Sequence, residues 1–196
     1  VQYVRASGIP VAELMDYGGQ QLDIQVGFDN EKAAWDMTHA FLESGKRAIA
    51  FFGSMDDPRD LSRFRGTELA LAEHGLKAYH MAPRTISSVA LGRQMFLQMQ
   101  KTRPDIDAIF CTNDDLAVGV LLECQAQGKA VPQEIAIAGF HGLEIGRARL
   151  QKIASVITPR YEIGKTASEI LIARLTGKDA PDSVNLAYQI YYGDTL

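Results

Sequence analysis

The sequence predicts an α/β fold whose parallel sheets are covered by helices on both faces. Three observations carry this. Short apolar runs alternate along the chain with amphipathic stretches of helical period. The runs are continuously apolar, as in strands buried on both sides. Glycine recurs where the helical stretches should stop.

In order, Ile9 to Leu14 reads as a strand and, after the polar loop Asp16 to Asp23, Ile24 to Phe28 as a second. Asp29 can cap a helix whose apolar face is Ala33, Met37, Ala40 and Phe41 and which Gly45 ends. Ala48 to Phe52 is a strand, Leu61 to His74 a helix stopped by Gly75, and Ala78 to Met81 a weaker strand. Next come a helix from Val89 to Lys101, a strand from Ala108 to Thr112, and a helix from Asp114 to Gln127 closed by Gly128. Ile135 to Gly139 is a strand, and Phe140 to Leu150 a loop with a helical turn. Ala154 to Ile157 is a short strand, Tyr161 to Leu175 a helix ending at Gly177, and Val184 to Ile190 the last strand. No internal repeat or low-complexity segment interrupts the alternation.

Composition bounds the function. With 196 residues, 46% hydrophobic and 22% charged, the chain is long enough to build a core and is neither fibrous nor disordered. No apolar run approaches the ~20 residues of a membrane-spanning helix. Val1 to Pro10 has no secretory pattern and the chain does not begin with Met, so it is expected to start inside a longer protein. Cys111 and Cys124 lie in apolar segments without a C-x-x-C spacing, as expected of reduced cytosolic thiols. The net charge is −4 and there is no basic stretch, so any contact with DNA belongs to another segment.

In an open parallel sheet the segments following strand carboxyl ends share one edge, where ligands bind. Three polar segments qualify: Gly53 to Arg63, Asn113-Asp114-Asp115 and Phe140-His141-Gly142. Glu13, at the end of the first strand, faces them if a second lobe closes over the edge. Asn113 is also placed to cap the following helix; if its side-chain oxygen does so, its NH2 still serves a ligand. His141 has no second His or Cys at ligand spacing, so no metal is expected, and surface and pocket readings stay open. Arg63 lies in a mixed-charge stretch with Arg59, Asp60 and Arg65, ordinarily a solvated face, but arginine past a strand end suits carboxylate recognition. Phe28 reads as core before ligand platform, and Trp35 as a partly exposed residue outside any site. No G-x-S-x-G, P-loop, G-x-G-x-x-G or H-E-x-x-H is present, so binding, not catalysis, is expected, with no cofactor.

These landmarks resemble the effector-binding core of the LacI/GalR family of transcription regulators. The resemblance rests on Gly8-Ile9-Pro10-Val11, Val26-Gly27-Phe28-Asp29-Asn30, Arg63-Phe64-Arg65-Gly66, Phe110 to Gly119, Ile137-Ala138-Gly139-Phe140 and Ser155-Val156-Ile157-Thr158, in family order. Val11 to Asp16, Val26 to Asn30, Ala138 to Gly142 and the Cys111 to Gly119 run are most similar to gluconate-utilisation repressors.

The resemblance implies a periplasmic-binding-protein-like two-lobe core with three crossover strands and the effector between the lobes. Residues 28–157 plus 184–196 would form a nearly whole C-terminal lobe, and residues 1–27 plus 158–183 a remnant of an incomplete N-terminal one. The helix-turn-helix DNA-binding domain is expected outside this chain. The resemblance also implies a cytoplasmic homodimer whose effector shifts DNA affinity. Arg63 and Asn113 occupy the family's pocket arginine and asparagine positions; Glu13, Phe28 and Asp114 complete the candidate effector contacts. His141 departs from the aspartate common at its position. Losing that negative charge favours an anionic ligand by several tenths to a few kcal/mol, roughly, depending on burial. A sugar acid such as gluconate fits, with Arg63 and His141 at a cationic end and Asn113 and Glu13 at a polyol end. The competing expectation is a secreted transport-type sugar-binding protein of the same fold.

Overall fold

The computed structural model describes residues 8–19, 21–54 and 57–196. Val1 to Ser7 of the first-lobe assignment, Gln20 in the Asp16 to Asp23 loop, and Met55 and Asp56 of the Gly53 to Arg63 segment lie outside the described residues. The described elements run β1 (Ala12–Leu14), β2 (Ile24–Gly27), α1 (Asn30–Glu43), β3 (Ile49–Phe52), α2 (Pro58–Ala72), β4 (Tyr79–Met81), α3 (Val89–Thr102) and β5 (Ala108–Cys111). They continue α4 (Asp114–Ala126), β6 (Ala136–His141), α5 (Glu144–Arg147), β7 (Ala154–Ile157), α6 (Arg160–Leu175), β8 (Ser183–Asn185) and β9 (Gln189–Tyr191). The chain divides into two compact units, Val1–Asn30 with Thr158–Tyr188, and Glu31–Ile157 with Gln189–Leu196.

The first unit holds a three-stranded parallel sheet in the order β1-β2-β8, with α6 packed on β1 and β2. α6 turns Ile163, Ala167 and Ile170 inward, the spacing of one helical face. Gly27 is required at the end of β2, because a Cβ there would lie 2.2 Å from the Asp16 carbonyl oxygen.

The second unit is a six-stranded sheet ordered β4-β3-β5-β6-β7-β9, parallel except for β9, which runs antiparallel to β7. Every residue of β3 and β5 is buried, and β6 is buried up to His141 at its end. This is why these strands read as unbroken apolar runs. Phe51 and Phe110 meet edge to face with ring centres 5.6 Å apart, and Phe110 stacks toward Phe140 at 6.2 Å. α3 and α4 cross at two glycines: a Cβ on Gly92 would lie 2.2 Å from the Leu116 carbonyl oxygen, and one on Gly119 2.2 Å from that of Val89. Cys111 and Cys124 are free and buried, and burial pushes the Cys124 thiol up to about 12.

Two readings of the sequence change. The segment expected to be one strand, Val184 to Ile190, is two: β8 pairs with β2, and β9 with β7. The break is tertiary, since Leu186 N–H donates to the Gly27 carbonyl and the Tyr188 ring meets Phe28 edge-on at 6.1 Å. The same contacts hold Phe28 and β8 in the first unit, so the divisions fall after Asn30 and Tyr188 instead of before Phe28 and Val184.

Candidate functional site

The register that pairs Phe52 with Cys111 and Phe110 with Ala138 aligns the carboxyl ends of β3, β5 and β6. A cleft of about 220 Å³ opens at that edge, entirely within the second unit. Ser54, Asp57, Arg59, Asp60 and Arg63 line it from the β3–α2 segment, Ile86 and Ser87 from the loop before α3, Thr112 and Asn113 from the end of β5, and His141 from the end of β6. Arg63, Asn113 and His141, far apart in sequence, are thus neighbours, as the strand-end rule predicts.

Each side chain is held by its element. Asp57 caps α2, accepting from Arg59 N–H at 2.9 Å, and Pro58 takes the first helical position, where its missing N–H costs nothing. The Arg59 guanidinium closes on the Asp57 carboxylate through Nε at 3.0 Å and Nη2 at 2.5 Å, and holds that carboxyl below its usual range. One turn on, the Arg63 side chain is only 4% exposed. Its Nη1 donates to the Thr112 carbonyl at 2.8 Å and approaches Asp60 Oδ1 at 3.8 Å. Its guanidinium carbon lies 3.9 Å from the centre of the Phe140 ring. Asp60 accepts from Ser54 N–H at 3.1 Å and from the Thr112 hydroxyl. Arg63 is therefore a buried, acid-paired cation, not part of a solvated mixed-charge face.

Asn113 takes the capping role open to it, at the edge of the cleft. Its Oδ1 caps α4 by accepting from Leu116 N–H at 3.1 Å, while the residue lines the cleft, which its NH2 can serve. His141 is half-buried and has φ of 92°, a left-handed conformation uncommon outside glycine. The turn it begins is clamped from below. Asp114, 1% exposed, accepts from the Ser155 hydroxyl at 2.7 Å and from Leu143 N–H, and Gly142 N–H donates to Ser155 Oγ at 3.0 Å. Asp114 thus acts beneath the site, not among the residues lining the cleft.

Glu13 and Phe28 belong to the first unit. There Glu13 accepts from Leu22 N–H at 2.6 Å, and Phe28 is fully buried against Tyr188. Asp57, Asp60, Thr112, Ile86 and Ser87 were not singled out from sequence as site residues. The only local signal for Asp60 was its position three residues before Arg63 on one helix face. Among the described residues no cluster of His, Cys, Asp or Glu could hold a metal ion, and no helix is long and apolar enough to cross a membrane.

The family profile for the periplasmic binding protein-like domain matches residues 38–196. The transcription regulator GntR from Chromobacterium violaceum superposes with a TM-score of 0.94 at 32% identity, over 99% of this chain and 72% of that one. The chain belongs to the LacI family. A LacI-family regulator from Silicibacter pomeroyi superposes with a TM-score of 0.93 at 34% identity, over 99% of this chain and 60% of its own. Among curated LacI-family relatives, the HTH-type transcriptional regulator IdnR of Escherichia coli K12 is 48% identical over the whole of this chain. The HTH-type transcriptional regulator GntR of the same organism is 41% identical. The chain spans 60% of the length of each of these two relatives.

Proposed function

We propose that this chain is the effector-sensing core of a LacI-family transcriptional repressor whose effector is a sugar acid of the gluconate type. The carrying observation is the convergence of Arg63, Asn113 and His141 on one strand-edge cleft. Arg63 and His141 provide donors for a carboxylate. The Asn113 amide and the Asp57 carboxylate suit hydroxyls. The relatives' names favour a regulator over a transport protein. In this reading the core binds without turnover and dimerises with a second copy in the cytoplasm. Effector binding shifts the equilibrium between DNA-bound and released states, and DNA is touched only by a helix-turn-helix domain outside residues 1–196.

Calorimetric titration of the complete protein with gluconate, 2-ketogluconate and glucose tests this. Gluconate should bind about tenfold or more tightly than glucose, the worth of one charge-assisted contact. Equal or better binding of neutral glucose overturns the sugar-acid reading.

A further inference from the structure

The charges around the cleft are arranged in pairs. Among the described lining residues the charged groups besides His141 are Arg59 with Asp57, and Arg63 with Asp60, so the two pairs cancel. The remaining described lining residues, Ser54, Ile86, Ser87, Thr112 and Asn113, carry no charge. Asp57 is held by Arg59 within its own segment, whereas Asp60 is tied to two different strand ends. Its two carboxylate oxygens are engaged by Ser54 N–H and the Thr112 hydroxyl, from the segments after β3 and β5, with Arg63 beside it. A carboxylate so fixed cannot turn away from an incoming anion.

We propose that Asp60 is a specificity-determining residue that sets the charge limit of the cleft, admitting a ligand with one carboxylate and refusing one with two. This rests on the sugar-acid reading above. One ligand carboxylate meets donors at Arg63 and His141. A second finds no unbalanced cation among these residues and adds a further negative charge to a cleft that already holds the fixed Asp60 carboxylate. A fixed like charge in the cleft weakens a dianion by about five- to tenfold relative to a monoanion.

The test compares gluconate with glucarate, the same six-carbon chain carboxylated at both ends, on the wild-type protein and Asp60→Asn. Asparagine can keep both contacts, its oxygen accepting from Ser54 N–H and its NH2 donating to the Thr112 hydroxyl, so the variant removes charge with little change in shape. Wild type should prefer gluconate by about tenfold, and Asp60→Asn should reduce that preference by about fivefold. A role in folding alone would weaken both acids together and leave the ratio unmoved. Equal affinity of wild type for the two acids overturns the proposal, and this arm stands even if Asp60→Asn does not fold. A ratio unchanged in folded Asp60→Asn overturns the role of Asp60 alone. Binding of neither acid by wild type removes the sugar-acid reading together with this proposal.

Discussion

The Arg63 guanidinium carbon sits 3.9 Å from the centre of the Phe140 ring, so the cleft's buried cation is held against an aromatic face as well as beside Asp60. The ring lies at the end of β6, immediately before His141. The Phe140 ring thus meets Arg63 from α2 and, edge-on at 5.2 Å between ring centres, its neighbour His141. A stacked cation of this kind gains roughly 0.5 to 2 kcal/mol from the ring, and its partner acid depends on it.

Arg63→Ala leaves Asp60 buried without its cation. It should lower unfolding stability by about 3 kcal/mol, and adding Asp60→Asn should recover part of the loss. Urea unfolding of the single and double variants measures this. Strictly additive losses would show that the two charges are not coupled.

Ser155→Ala removes the hydroxyl that joins Asp114 to Gly142 N–H. Because the Asp114 carboxylate is charged and buried, a loss of about 1.5 to 3 kcal/mol is expected in chemical denaturation. Gluconate affinity should fall as well, since the turn carrying His141 is no longer pinned.

Gly92→Ala and Gly119→Ala each drive a methyl into backbone carbonyl oxygen at 2.2 Å where α3 crosses α4, and backbone cannot move aside as a side-chain tip can. Each should cost about 1 to 3 kcal/mol or more, seen as a lower thermal midpoint. Gly164, inside α6 with nothing within 4 Å of its notional Cβ, is the control. Gly164→Ala should stabilise by about 0.5 to 1 kcal/mol through helix propensity.

The parallel strands were legible because burial on both faces leaves them uniformly apolar, and helix ends because Gly45, Gly75, Gly128 and Gly177 all adopt positive φ. The strand-end rule then assembled Arg63, Asn113 and His141 without any knowledge of their contacts. The split between β8 and β9 was not legible. Residues 183–191 form a run compatible with strand throughout, and only the Phe28–Tyr188 contact and the Gly27 carbonyl break it. Asp60 was hidden for a similar reason. In a run of mixed charge it looks solvated, and its burial comes from Ser54 and Thr112, the latter 52 residues away.

Asp57 gives the acid limb of the stability curve a cause within the cleft. Hydrogen bonding from Arg59 lowers its carboxyl below the unfolded value of 3.8, so the unfolded chain takes up the proton first. Its contribution is complete above that value and is lost as pH falls through the folded-state pKa. Asp57→Asn should flatten this part of the curve by lowering the neutral plateau toward the acid value; an unaltered acid limb would assign it to other groups.

The measurement closest to the central claim is the gluconate affinity of His141→Asp beside that of wild type. Aspartate tolerates the left-handed backbone at this position, and it replaces a donor with a negative charge at the cleft wall. If the strand-edge cleft is the sugar-acid site, affinity falls by about tenfold or more while the thermal midpoint holds. Unchanged affinity in the folded variant would place the ligand elsewhere.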